Sequence, residues 1–420
     1  MKKRKCMLWI FFLSIVLVGC SSHYNNIEVY SNQGTHLSIL AGQSMVDAGT
    51  EDKIETIIYQ TFPDVTLEWE CVDWGTSFAA RLRSRLAAGN IPDILIGKSQ
   101  DISAYGRTGI LAEIPKECVP EIKKECLKAV TIDDMVYGIP YTVCYQGVLY
   151  NKEIFEENHL SVPNTLEELS EIVDTLQQVG ITPYAGHFQE CWQVGNTTMQ
   201  FLVNDLFINH QNWGSDFRLG KVDFTNSDII KACLEYNKNI LDHSWDDALM
   251  INQNESDIRF SEGEAAMYLT GSWSLQVVNH SKNATDVGIF PFPNQTGNSK
   301  LIMETNMTFM KSAQTDHSDL INQIFVNIAN NKEIAEEIAG YTQSYSALKD
   351  VDISYRNSVQ SDISYYKQTE NIIDVSIGNS QLIWEFQYNL AEKQVEWLKN
   401  QISLEDVLSY ADSNRRYSAL

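Results

Sequence analysis

The sequence predicts an α/β protein of two interleaved, doubly wound lobes, and three observations carry that expectation. Segments of alternating hydrophobicity take turns with segments of helical period along the chain. A chain of 420 residues is long for a single core. No low-complexity linker separates one half from the other, so the two cores are expected to draw on interleaved segments.

The first element is a targeting segment. Lys2, Lys3, Arg4 and Lys5 precede the apolar run Met7 to Val18, which is short for a membrane span and has the flanks of a signal peptide. It ends in Leu17-Val18-Gly19-Cys20, which resembles the bacterial lipobox. That resemblance implies cleavage after residue 19 and a diacylglycerol on the Cys20 thiol. The polar stretch 20–34 then reads as a flexible tether holding the protein at the outer face of a membrane.

Beyond the tether, Thr35 to Ala41 reads as a strand and Ile54 to Phe62 as a helix. Val65 to Val72 alternates like a strand, Phe78 to Ala88 returns to helical period, and Asp93 to Ile96 is a short buried strand. Thr165 and Glu168 form a capping box ahead of the helix Leu169 to Val179, which Gly180 stops. Ser403 with Asp406 caps a last helix reaching Ala411.

Composition narrows the partners. Loss of residues 1–19 leaves 27 basic residues against 55 acidic ones, a net charge of −28. Nucleic acid and anionic lipid both require basic patches, so neither is expected. Cys71, Cys118, Cys126, Cys144, Cys191 and Cys233 show no CxxC and no regular spacing. They read as buried free thiols, although Cys118 and Cys126 lie close enough in sequence to pair.

Several stretches together resemble one family, the bacterial extracellular solute-binding proteins of the sugar-binding group. They are Leu86-Ala87-Ala88-Gly89-Asn90-Ile91-Pro92-Asp93-Ile94, Gly109 to Ile114, Tyr137-Gly138-Ile139-Pro140-Tyr141, and Leu149 to Phe155. Further along come Pro163 to Leu169, Phe260 to Met267, Gly271-Ser272-Trp273, and Val287 to Pro293. Each is weak alone; their order and spacing cover nearly the whole mature chain. The resemblance implies two α/β lobes joined at a hinge, with crossings near Cys144, Glu304 and Tyr341 and a ligand in the cleft. Lobe one would take residues 35–144 and 305–340, and lobe two 145–304 and 341–420. It further implies a monomer without cofactor or metal that captures a carbohydrate, such as an oligosaccharide, for the permease subunits of an ABC importer. Lipid anchoring points to a Gram-positive source.

Sugars present apolar C–H faces and rings of hydroxyls, so a sugar site needs flat aromatics and short polar side chains. The chain has nine Trp and nineteen Tyr. Trp273 falls where the family places a stacking Trp, in a loop that exposes the ring. Trp192, with His187 nearby, and Trp384 fall where the family also supplies aromatics. Gln43 and Ser44 follow the first strand, and Trp74 lies in Asp73-Trp74-Gly75, which reads as either a cleft loop or a helix entry. The loop Gly97-Lys98-Ser99-Gln100-Asp101 occupies the place where maltose-specific members offer a Trp, an Asp and an Arg. Here Gly97, Gln100 and Asp101 stand instead, which moves the expectation away from maltose and leaves Gln100 and Asp101 as candidates. Cys144 stands where those members carry a hinge Glu, so Tyr145 or Gln146 is expected to supply that contact.

A secreted glycosidase and a binding protein for a non-sugar solute are the alternatives. A glycosidase needs two carboxylates about 5–10 Å apart across the sugar, and no spacing nominates such a pair. GxSxG, GxGxxG, P-loop and HExxH motifs are absent from the sequence. His187-Phe188-Gln189-Glu190 has an HxxE spacing, but Pro183 and Gly186 favour a loop there over a metal-binding helix.

Overall fold

The structure, a computed structural model, describes residues 34–43, 49–72, 76–281, 286–351 and 359–418. Cys20 and the tether up to residue 33, Ser44 and Trp74 lie outside the described residues. Residues 35–420 form one compact unit by their contacts.

The described residues form twelve strands: β1 Thr35–Gly42, β2 Val65–Val72, β3 Ile94–Gly97, β4 Thr131–Ile132, β5 Met135–Val136, β6 Ile139–Asn151, β7 Thr182–Tyr184, β8 Ala265–Gly271, β9 Val287–Phe290, β10 Leu301–Lys311, β11 Tyr345–Ser346 and β12 Ile372–Asp374. Ten of them share a mixed sheet whose main path runs β2-β1-β3-β10-β6-β8-β7. β9 and β11 pair with β6, and β12 pairs with β10. The α/β architecture expected from the alternation is therefore present.

Local chemistry sets the elements. In the helix Leu166–Gln178 the buried residues are Leu169, Ile172, Val173 and Leu176, one stripe at helical spacing. Each such side chain contributes roughly 1.5–3 kcal/mol on burial. Thr165 Oγ1 accepts from the Glu168 amide and Glu168 accepts from the Thr165 amide, closing the capping box. Gly180 sits at φ 76°, a left-handed position that ends the helix at little cost only because it has no Cβ. Ser403 and Asp406 form the same reciprocal cap at the helix Leu404–Ser413. Asp93 ties the turn before β3 to its neighbours: Oδ2 accepts from the Ser38 amide and hydroxyl, and Oδ1 from the Thr315 hydroxyl. The six cysteines from Cys71 to Cys233 are free thiols.

Strand register decides where a site can lie. β1, β2 and β3 are mutually parallel, and Gly97 at the end of β3 faces Thr308 of β10. β7 and β8 are parallel, and Gly271 at the end of β8 faces Gln146 of β6, which in turn faces Ile302. The two parallel groups run in opposite directions. Their C-terminal ends converge on the short stretch of β10 between Ile302 and Thr308. That stretch carries Glu304 opposite Cys144 and a break in register after Thr305, a bulge at which a strand bends.

Past Tyr341 the chain still lies against the β1–β3 side: β11 pairs with Val143 and Thr142, and the Lys349 amide donates to the Glu121 carbonyl. The helix Gln360–Gln368 packs on β9, with Asp362 accepting from the Ile289 amide. Pairing with β6 thus holds residues 345–346 beside Thr142 and Val143.

Candidate functional site

Parallel strands deliver their following loops to one edge, and ligands of open α/β sheets gather outside the C-terminal strand ends. Here the two groups of such ends meet, and Trp273 and Trp192 are found at that place.

Trp273 follows β8 in a single turn, Ser272–Ser274, and is half-buried. Gly271 makes its position available: a Cβ there would lie 2.2 Å from the indole, which folds back over the strand end. Ser272 Oγ accepts from the Tyr145 amide at 3.2 Å, and the Thr270 and Ser274 hydroxyls meet at 3.0 Å. The loop is thus pinned on both sides of the ring.

Trp192 is the first residue of the helix Trp192–Leu202 and is also half-buried. Its ring centroid lies 6.3 Å from that of Trp273 with the planes at 66°, so the two indoles form a corner. His187 supports this corner from within. Its ring lies 4.8 Å from Trp192 and 5.9 Å from Tyr268, has no exposure, and finds no hydrogen-bond partner for either nitrogen. Burial pushes its pKa down to about 3, so the imidazole is neutral. His187, which from sequence could equally bond a sugar hydroxyl or pack, lies against Trp192 as a packing group. Glu190 approaches Nδ1 only to 3.8 Å, and no cluster of His, Cys, Asp and Glu suited to a metal exists among the described residues.

Trp384 begins the helix Trp384–Leu398 and is half-buried, 6.3 Å from Tyr388. This helix runs beside Trp192–Leu202 in the same direction: Tyr388 bonds Cys191, a Cβ on Gly195 would touch Ala391, and Thr198 donates to Gln394 at 3.2 Å. Trp192 and Trp384 therefore start two parallel helices at one end. The Trp384 indole nitrogen is buried without a protein partner.

The opposite side is supplied by the residues after β3. The Lys98 Nζ lies 6.0 Å from the Trp273 ring centroid and 3.8 Å from Glu304 Oε1. Glu304 is 4% exposed, and its Oε2 accepts from Gln146 Nε2 at 2.7 Å. Asp101 is turned away from the corner: its Oδ2 accepts from the Lys98 amide at 2.8 Å, and burial pushes its carboxyl up to about 6. It caps its own helix, Ser99–Tyr105, and the structure does not bring it to Trp273. Asp101 also explains Gly97, since a Cβ there would lie 2.5 Å from Oδ2. Gln100 is half-buried in the first turn of that helix, and Gln43 half-buried directly after β1.

Tyr145 is not part of this group. Successive strand residues face opposite sides, so with Cys144 and Gln146 turned toward Glu304, Tyr145 points the other way. It is 1% exposed and packs on Tyr345 at 5.2 Å, with the Lys367 ammonium 5.2 Å from its ring. Lys98 was not singled out from sequence. Its only signal was its place in the loop after Asp93-Ile94-Leu95-Ile96.

Fold and site together define a solute-binding protein. The chain belongs to the bacterial extracellular solute-binding protein family, whose profile matches residues 58–363. It is 24% identical over 251 residues to the multiple sugar-binding protein of Streptococcus mutans, covering 56% of this chain and 58% of that one. It is 23% identical over 303 residues to the maltodextrin-binding protein of Bacillus subtilis, covering 70% and 68%. The chain thus spans little more than half of the streptococcal relative. Among solved structures, a chitin oligosaccharide binding protein superposes with a TM-score of 0.78 at 18% identity, over 92% of this chain and 99% of that one. A solute-binding protein in complex with raffinose gives 0.74 at 18%, over 91% and 100%. These likenesses share the two-lobe fold.

Proposed function

We propose that this protein captures a carbohydrate, an oligosaccharide, in the cleft between two lobes and delivers it to an ABC importer. The observation that carries this reading is the indole corner of Trp192 and Trp273 at the meeting point of the two groups of strand ends. Two rings at 66° offer faces to successive apolar surfaces of a saccharide, and the Lys98 ammonium lies 6.0 Å from the Trp273 ring as a donor. The sugar names carried by the streptococcal, bacillar and raffinose-bound relatives support it.

On this reading the lobes are residues 35–144 with 305 to about 350, and 145–304 with the C-terminal helices from 360 on. They turn about the bulge beside Glu304, and the closed form is what the importer recognises. The lipid at Cys20 keeps the protein beside the permease. Calorimetric titration with raffinose, maltotriose and di-N-acetylchitobiose tests the reading, with a check for sugar turnover. Saturable binding without hydrolysis is expected. Hydrolysis of any of them, or binding of none at millimolar concentration, would overturn it.

A further inference from the structure

Beside the indole corner the Lys98 ammonium lies among the carboxylates of Glu304 and Asp101, and that grouping bears on which saccharides fit. Lys98 leaves the end of β3 and reaches Glu304 on β10, so its charge meets a partner 3.8 Å away that is itself buried. Asp374 lies close enough to Glu304 and to Lys128 to feel both charges, and Asp101 lies close to both Glu304 and Lys98. Gln146 holds the far oxygen of Glu304, fixing the carboxylate toward Lys98. The same ammonium lies within cation–π reach of Trp273, which comes from the other group of strands. Lys98 thus touches both sides of the cleft and the strand that joins them.

We propose that Lys98 and Glu304 are the specificity-determining pair of the cleft: Lys98 donates to a hydroxyl of the sugar ring seated on Trp273, and Glu304 cancels its charge, so that neutral saccharides are accepted and carboxylate-bearing ones refused. This rests on the carbohydrate reading above. A sugar stacked on Trp273 takes the place the ammonium now covers. The four-carbon stem lets Nζ swing to the rim of the sugar while Glu304 keeps hold of it. A uronic acid brought to the same point would face Glu304 across one shared cation, with Asp101 and Asp374 behind it, and one positive charge does not satisfy two carboxylates in a partly dry site.

Titration of wild type, Lys98→Met, Glu304→Gln and the double variant against raffinose, maltotriose, di-N-acetylchitobiose and trigalacturonate tests this, with melting of each unliganded protein alongside. Wild type is expected to bind at least one neutral probe and not trigalacturonate. Lys98→Met is expected to bind that probe about 10- to 100-fold more weakly, the range for a charge-assisted hydrogen bond. The double variant removes the Glu304 carboxylate that Lys98→Met alone would leave without its ammonium, so its equal loss of affinity separates a lost contact from a damaged fold. Glu304→Gln is expected to gain measurable binding of trigalacturonate. Affinity within twofold of wild type in both Lys98 variants, or wild-type binding of trigalacturonate as tight as of a neutral probe, overturns the pair while leaving carbohydrate capture standing. Failure of wild type to bind any of the four removes the carbohydrate reading and the pair with it.

Discussion

Arg83 and Glu385 form an ion pair that joins the helix after β2 to the first turn of the helix begun by Trp384, with Nη1 and Oε2 2.5 Å apart. Both side chains are 45% exposed, which limits the pair to about 1 kcal/mol or less. It ties together segments assigned above to different lobes.

If that pair helps hold the lobes together, Arg83→Ala and Glu385→Ala should each weaken sugar affinity about two- to fivefold and fail to add in the double variant. The loss should shrink from 50 to 500 mM salt as screening grows. Titration at the two salt concentrations decides it; additive, salt-independent effects would assign the pair no such role.

Truncating Trp273 or Trp192 removes a stacking face. Loss of a buried aromatic anchor costs about 2–4 kcal/mol, or roughly 30- to 1000-fold in affinity. Because both rings are half-buried without ligand, the melting temperature of the unliganded variants should fall only slightly. A large fall in melting with unchanged affinity would make these rings core instead.

Gly271→Ala keeps both indoles but places a methyl where the Trp273 ring lies. The ring must turn away, so affinity should drop about tenfold or more, with a blue or red shift of tryptophan emission reporting its new surroundings. Wild-type affinity in this variant would show that the ring's pose is unimportant.

Two buried groups beneath the corner oppose each other with pH. Burial pushes the Asp257 carboxyl up to about 7, so the folded protein keeps a proton that the unfolded chain loses near pH 4. Its stabilisation is complete below about pH 4 and is lost as pH rises through about 7. His187, pushed down to about 3, stays neutral while the unfolded chain protonates near 6.5; its contribution is present above about 6.5 and lost as pH falls toward 3. Relative to wild type, Asp257→Asn should gain stability from pH 4 to 7 and His187→Gln from pH 6.5 down to 4. Each slope is at most about 1.4 kcal/mol per pH unit. Melting curves parallel to wild type across this range would contradict both assignments.

Cys20→Ala should abolish labelling by a fatty-acid analogue and leave the precursor unprocessed or released. Labelling equal to wild type would remove the lipid anchor.

Much of the fold was legible because its signals are local. The caps at Thr165 and Ser403 and the stop at Gly180 each depend on residues within a few positions. The Gly-Ser-Trp loop was legible for the same reason, since a glycine at the strand end is what lets the ring fold over it. What failed depended on register. Whether Tyr145 or Gln146 faces Glu304 is a matter of strand parity beside a bulge that no local pattern announces. Asp101 was read as facing the cleft because its turn toward the Lys98 amide follows from helix capping, which competes with ligand contact for the same carboxylate. Lys98 was passed over because a lysine in a loop ordinarily faces solvent; its carboxylate partner is remote in sequence.

The bulge in β10 has a mechanical consequence. Glu304 is a neighbour of that bend and also the partner of Lys98, so on the proposed reading the pivot and the grip on a ligand share one residue. A lever held at its fulcrum moves least where it is gripped and most at its ends. Small adjustments around one sugar ring would therefore be magnified at the outer rims of the protein, far from the ligand, which is where a membrane partner can feel them.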